Sequence, residues 1–172
     1  MDTSSRVAGF GSEVRDGARV SVTRGVISAS GGFAVYARGA SAGTSTAISV
    51  SGSTLEGSYV GAYAYSTAAT ATVTLAVRDS QLDRNDYGMY AASGAGAPVW
   101  MTASASLITG ATQSGITVDG SGARVWATGN TVTASGIGVR ATAGGVFESA
   151  GDTAVRNNGT NKRGTIAVVA ME

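Results

Sequence analysis

Two residue types that carry much of enzyme chemistry are missing from this chain of 172 residues, which has no cysteine and no histidine. The absence of cysteine excludes disulfides, thiolate zinc sites and cysteine nucleophiles. The absence of histidine removes the commonest general base and metal ligand. Because a serine nucleophile would have no histidine partner, catalytic-triad chemistry is excluded as well.

Charge is also scarce. Charged residues make up 13% of the chain, about half the ~25% of an average globular domain, and the net charge is +1. This balance gives no electrostatic footprint for nucleic acid. The 43% apolar share argues against disorder, which needs high charge and low hydrophobicity. No apolar run reaches the ~18 residues of a membrane span, and no signal peptide is visible at the start.

What the sequence does contain is an internal repeat, rich in glycine and small polar residues. Each repeat has an alternating apolar segment, a small polar turn, an anchoring aliphatic residue, and then glycine followed by an apolar residue. Alternation with period two is typical of strands, and no segment has the ~3.6-residue period of a helix. The anchors, spaced by 28, 27, 25, 25 and 23 residues, are Ile27, Leu55, Leu82, Leu107, Val132 and Val155.

A repeat of this length is explained most simply as one coil of a solenoid, with equivalent strands stacked ~4.8 Å apart. We therefore predict a parallel β-helix of about six coils with 23–28 residues per coil. Before each anchor, the predicted inward rows are Val20, Ile48, Leu75, Val99 and Val125, and next to them Val22, Val50, Val77, Met101 and Ala127. After the turn, the predicted rows are Phe33, Ala62, Met89, Ile116 and Ile137, and next to them Val35, Ala64, Ala91, Val118 and Val139.

The segments GNTVTASGIGV and QLDRNDYGMYA resemble coils of right-handed parallel β-helix proteins, the pectate-lyase-like superfamily. The tail from Gly144 onward resembles the closing coil of secreted bacterial β-helix repeat proteins. The resemblance implies an all-β, right-handed parallel β-helix over residues 17–172, with residues 1–16 as an N-terminal cap or a truncated coil. Since that superfamily contains lyases, hydrolases, epimerases and non-catalytic repeats, the resemblance assigns no activity.

Two enzyme signatures of that superfamily are missing. Its hydrolases use paired aspartates with a Gly-His-Gly segment, which a chain without histidine cannot contain. The epimerase segment Tyr-Gly-x-Asp-Pro-His is also absent, because Tyr87-Gly88 continues as Met89-Tyr90. A partial match remains to the lyases, whose acidic residues on adjacent turns hold Ca²⁺ beside an arginine or lysine base.

An acidic cluster could supply such a calcium site. The cluster consists of Glu56, Asp79, Asp83 and Asp86, with Arg78 and Arg84 close by in the sequence. Glu56 and Asp83 each follow an anchor, so we expect them to stack on neighbouring coils. Two stacked carboxylates bind a cation, raise a carboxyl pKa or are neutralised by an arginine. A Ca²⁺ site and a solvated turn with local ion pairs are both open at this point.

Four aromatic residues are the candidate binding residues. Trp100 and Trp126 are expected at equivalent outward positions on adjacent coils, and Tyr63 and Tyr90 at equivalent positions in the second strand row. Outward aromatic side chains bind sugar rings, pack against one another or cover an interface. All of these roles are compatible with the sequence.

From these residues we predict a non-catalytic structural or binding module of a secreted or cell-surface protein. The expected partners are a second copy of the chain, through an open coil end, and a polysaccharide. The alternative is a Ca²⁺-dependent polysaccharide lyase, or a fragment of one, that uses the acidic cluster with an arginine base. Apart from Ca²⁺ in that alternative, no cofactor is expected, and neither nucleic acid nor a membrane span.

Overall fold

A computed structural model describes residues 4–8 and 11–169, and this part of the chain forms strands and no helix. The strands of the first three coils are β1 (Ser4–Ala8), β2 (Ser12–Arg15), β3 (Arg19–Thr23), β4 (Val26–Ser30), β5 (Phe33–Gly39), β6 (Ser45–Ser51), β7 (Thr54–Glu56), β8 (Val60–Ser66) and β9 (Thr72–Arg78). Those of the next three are β10 (Gln81–Asp83), β11 (Tyr87–Ser93), β12 (Val99–Ser104), β13 (Leu107–Thr109), β14 (Ser114–Asp119), β15 (Ala123–Thr128), β16 (Thr131–Thr133), β17 (Ile137–Thr142) and β18 (Val146–Ser149). The last coil has β19 (Ala154–Val155), β20 (Thr160–Arg163) and β21 (Ile166–Val168).

These strands form three sheets of seven strands that wrap around one core. Sheet 1 contains every third strand from β1 to β19, sheet 2 those from β2 to β20, and sheet 3 those from β3 to β21. Each strand pairs in parallel with the equivalent strand of the next coil. The chain is therefore an all-β parallel β-solenoid of about six turns, with about 26 residues per turn, as the repeat predicted. Within the segment predicted as a cap or truncated coil, β1 and β2 are the first strands of sheets 1 and 2.

The core consists of columns of aliphatic side chains that run along the solenoid axis. In sheet 1 the fully inward column runs through Ile27, Leu55, Leu82, Ile108, Val132 and Val155. The prediction of Leu107 as the anchor of the fourth coil was wrong, because Ile108 is fully buried whereas Leu107 is 37% exposed. Two adjacent aliphatic residues there made the sequence ambiguous by one position, and in a strand one position decides between core and solvent.

The predicted rows of sheet 3 contain a slip of two residues. Leu75 pairs with Met101, whereas Val99 pairs with Val73, so Val99 and Met101 each belong one column away from the predicted row. In β9, β12 and β15, three side chains of each strand point into the core, whereas the predicted rows contained only two per strand. A slip of two residues keeps every side chain on the same face, so alternation of apolar and polar residues cannot detect it.

The same slip affects sheet 2. Val35 and Val139 share a column with Ala62, Met89 and Ile116, so the placement of Phe33 and Ile137 in that column was wrong. Phe33 lies instead against aromatic rings of the outer face.

A row of glycines lets the strands of successive coils approach closely in sheet 2. A Cβ atom at Gly88 would lie 2.6 Å from the carbonyl oxygen of Gly115 on the next coil. The position is thus closed to any larger residue, as expected for a glycine at which two backbones nearly touch.

Buried polar side chains hold the turns of successive coils together. The Asn85 amide donates to the carbonyl of Leu55 at 3.0 Å, and its oxygen accepts from the main-chain N–H of Ser58 at 2.9 Å. Asn130 makes the same pair of contacts: its amide donates to the carbonyl of Ala103 at 2.8 Å, and its oxygen accepts from the main-chain N–H of Ser106 at 3.1 Å. Each asparagine therefore satisfies two main-chain groups of the preceding coil that would otherwise be buried without partners.

Candidate functional site

The outer face of sheet 3 carries Trp100, whose 49% exposure is unusual for so large an apolar side chain. Its strand neighbours in the same outward column are Thr74 on one side and Arg124 on the other. The Arg124 guanidinium carbon lies over the indole ring, 5.7 Å from its centroid, which is within cation–π distance. The arginine therefore holds the ring in position on the surface of the sheet.

The expected equivalence of Trp100 and Trp126 was wrong. Trp126 pairs with Thr102, two residues further along the strand, so the two indoles lie in different columns of the same face. This error has the same origin as the slip at Val99, because both tryptophans follow the valines that were aligned with each other.

On the outer face of sheet 3, strands β3, β6 and β9 form a shallow groove of about 370 Å³, and Thr74, which lines it, is the strand neighbour of Trp100. We call it the Trp100 groove, and the side chains that matter for its chemistry are Arg19, Ser21, Ala47, Ser49, Thr74 and Ala76. The floor is made of small side chains from three adjacent strands, and two of its hydroxyls, those of Ser21 and Ser49, hydrogen-bond each other at 2.8 Å. Among the residues that the structure describes, neither Arg19 nor Arg124 is in an ion pair.

The outer face of sheet 2 and its adjoining turn carry an aromatic cluster that contains all six tyrosines of the chain and Phe33. Tyr63 and Tyr90 are directly paired on adjacent strands, which confirms their predicted equivalence. Their ring centroids are 5.4 Å apart, and Tyr36 stacks on Tyr63 at 5.0 Å with an interplanar angle of 12°. Because these rings cover one another's faces, they have little free face to offer a ligand.

Two hydroxyls of this cluster, those of Tyr63 and Tyr90, have pKa values raised above that of a free tyrosine. Burial, followed by the neighbouring tyrosines, raises the pKa of Tyr63 well above its usual value. Burial and the nearby Asp119 carboxylate raise the pKa of Tyr90 to about 12. The Tyr90 hydroxyl lies 3.4 Å from that carboxylate, to which it donates, and Asp119 also accepts from Thr142 at 2.7 Å. Tyr63 and Tyr90 therefore contribute neutral hydroxyls rather than phenolates to this face.

The acidic cluster is partly brought together by the fold. Glu56 and Asp83 are directly paired on β7 and β10, as expected. The Arg84 guanidinium contacts both carboxylates, Glu56 at 2.9 Å and Asp83 at 3.3 Å, and Ser28 donates to Glu56 at 2.9 Å. One cation of the chain therefore already occupies the space between the two carboxylates.

The two other members of the acidic cluster have separate surroundings. Asp86 accepts a hydrogen bond from the Thr112 hydroxyl at 2.6 Å, and Asp79 occupies a turn with a φ of +48°. Within residues 4–8 and 11–169, no group of three or more acidic side chains is arranged to hold a metal ion. A calcium site at the cluster stays a prediction.

Sequence reasoning missed Asn85 and Arg124. Asn85 was missed because charged residues flank it in its turn. Its position one coil period after Ser58, in the equivalent turn, could have revealed it. Arg124 was missed because its contact with Trp100 depends on the register of sheet 3, which the sequence left uncertain by two residues.

Comparison with protein families agrees with this architecture. The family model described as the right-handed β-helix region matches residues 3–132, which is more than half of the chain. The chain therefore belongs to the right-handed β-helix family. Comparison with curated proteins found no match, and comparison with solved structures found none either. In the described part of the chain, no helix is long and apolar enough to cross a membrane.

Proposed function

We propose that this chain is a non-catalytic structural and binding module of a secreted or cell-surface protein, and that it contacts glycans through the Trp100 groove. The observation that carries the proposal is the exposed Trp100 ring next to a groove with a floor of small side chains. The extracellular setting is supported by the resemblance of the tail to secreted β-helix repeat proteins.

The chemistry of the groove suits a sugar ring. The apolar face of a sugar packs on an indole, and its hydroxyls exchange hydrogen bonds with short polar side chains. Ser21, Ser49 and Thr74 supply such hydroxyls, while Ala47 and Ala76 leave room above the sheet. The groove volume of about 370 Å³ is at the lower end of the ~300–1,000 Å³ of small-ligand sites. A ligand of a few sugar units therefore fits better than a deeply enclosed substrate.

The tyrosine cluster supports the choice of sheet 3 over sheet 2. Tyr36, Tyr63 and Tyr90 are packed against neighbouring rings, so a sugar would have to displace a ring contact before it could stack. No aromatic ring covers Trp100 in the described residues. The exposed Arg124 guanidinium lies over its indole, so a sugar that stacked on that face would displace a solvated side chain rather than a packed ring.

A panel of immobilised oligosaccharides tests the proposal, followed by titration of a binding sugar with isothermal titration calorimetry as the readout. We expect Trp100→Ala to weaken binding at least tenfold. Tyr59→Ala is the matched control, because Tyr59 is 45% exposed but lies beside sheet 2. Binding that survives Trp100→Ala and is lost in Tyr59→Ala would move the site to sheet 2, and a chain that binds no member of the panel would refute glycan contact.

A further inference from the structure

The tyrosine rings of sheet 2 and its adjoining turn form one continuous line of contacts across adjacent coils. The ring centroids of Tyr36, Tyr63 and Tyr90 follow one another at 5.0 and 5.4 Å. From Tyr90 the line continues to Tyr87 at 5.1 Å, and from there to Tyr59 at 5.6 Å. Phenols are readily oxidised by one electron, and rings in contact exchange electrons. A radical formed at one ring of the line can therefore reach the others.

Tyr59 is the ring of this line that an external oxidant reaches. Among the six tyrosines, all of which lie in the described part of the chain, it alone is exposed, at 45%. It lies in the turn before β8 rather than on a strand. Its ring meets that of Tyr87 at an angle of 79°, an edge-to-face arrangement. Because the side chain is in an exposed turn, it has room to rotate against its neighbour.

The backbone keeps Tyr59 and Tyr87 side by side on adjacent coils. The main-chain N–H of Tyr87 donates to the carbonyl of Tyr59 at 2.9 Å, so the two residues are about one strand spacing (~4.8 Å) apart. Other pairs are less suited to a bond between ring edges. Tyr36 and Tyr63, both on strands, stack face to face with an interplanar angle of 12°. Bonding their edges would require the stack to open.

We propose that the tyrosine cluster is a site of oxidative modification, where hydrogen peroxide and a peroxidase join Tyr59 to Tyr87 through a dityrosine bond. Such a bond would connect two coils at residues 28 apart in the chain. Like a disulfide, it would stabilise the fold by restricting the unfolded chain. It involves neither Trp100 nor the groove of sheet 3, so it stands independently of the proposed function.

The coupling is a two-electron oxidation. Each tyrosine loses one electron and its hydroxyl proton and becomes a phenoxyl radical. The two radicals form a carbon–carbon bond between ring carbons next to those that carry the oxygens. The hydrogens on the bonded carbons then move to the oxygens, which restores both phenols. The protein has thus lost two electrons and two protons, and one molecule of hydrogen peroxide takes them up and becomes two molecules of water.

Treatment of the purified chain with hydrogen peroxide and a haem peroxidase tests the proposal. Trypsin places Tyr59 in the peptide 39–78 and Tyr87 in the peptide 85–124, so the expected product is these two peptides joined, lighter by two hydrogens than their sum. Dityrosine fluorescence should be lost in Tyr59→Phe and in Tyr87→Phe, which both keep the aromatic ring. Tyr65→Phe is the matched control, because Tyr65 belongs to the cluster but contacts Tyr63, and it should keep the signal.

The product must also be a monomer that is more stable than the untreated chain. We expect the same yield per chain at every protein concentration and a higher melting temperature after treatment, with no such rise in treated Tyr59→Phe. Absence of dityrosine would overturn the proposal, as would a link between Tyr87 and Tyr90 inside one peptide. Covalent dimers in place of cross-linked monomers would overturn the bond within one chain, and an unchanged melting temperature would overturn its stabilising role.

Discussion

Replacing Ile108 with alanine is expected to destabilise the solenoid by about 2–5 kcal/mol. The side chain is fully buried in the inward column of sheet 1, between Leu82 and Val132. The substitution removes three carbons, worth about 0.8 kcal/mol each in transfer from water, or about 2.4 kcal/mol together. The cavity left between rigid coils adds to this, because the strands above and below cannot move inward without breaking their ladders.

Leu107→Ala is the matched variant, because it removes the same number of carbons from the neighbouring residue. Leu107 lies on the outer face and is 37% exposed, so we expect a loss below about 1 kcal/mol. Urea unfolding followed by circular dichroism measures both values, and the melting temperature should fall by roughly 2–4 °C for each kcal/mol lost. A larger loss for Leu107→Ala than for Ile108→Ala would refute the register of sheet 1.

Three further outcomes are expected. Asn85→Ala leaves two buried main-chain groups of the preceding coil without partners, so the free energy of unfolding measured in urea should fall by about 2–4 kcal/mol. A loss below about 1 kcal/mol would contradict these two hydrogen bonds. Main-chain hydrogen bonds hold the pKa of Asp16 below its usual value, so its contribution is present above the unfolded pKa of ~3.9 and is lost as the pH falls through the folded value. The free energy of unfolding of Asp16→Asn should therefore fall less steeply below about pH 4 than that of the unmodified chain. An unchanged pH dependence would count against those hydrogen bonds. Ca²⁺ should leave the melting temperature unchanged, because Arg84 already contacts both paired carboxylates; a rise that Asp83→Ala abolishes would support the calcium site and the lyase alternative.

The fold could be predicted because the repeat encodes it many times over. The alternation of apolar and polar residues predicted the strands, and the spacing of the anchors predicted the length of one coil. The direct pairing of Glu56 with Asp83 followed from the same spacing. A single ambiguous coil could not change the architecture, since the other coils carry the same pattern.

The candidate site was harder to predict because it depends on register rather than on period. Met101 lies one column away from its predicted row, and this slip places Arg124, rather than Trp126, beside Trp100. The slip leaves every residue on its predicted face, so no count of apolar and polar positions reveals it. The sequence analysis found only Tyr63 and Tyr90 of the tyrosine cluster. Tyr59 was not found because it joins the cluster from a turn and so belongs to no strand row.

The direction of the strand ladders has a mechanical consequence. Hydrogen bonds between coils run along the solenoid axis, whereas the covalent chain winds around it. Tension applied between the two ends therefore loads the ladders of one coil at a time and peels the terminal coil first. Each released coil of about 26 residues adds about 86–94 Å of extended chain, at ~3.3–3.6 Å per residue. Tension across the axis is instead carried by the wound backbone itself, so the molecule is compliant in one direction and stiff in the other.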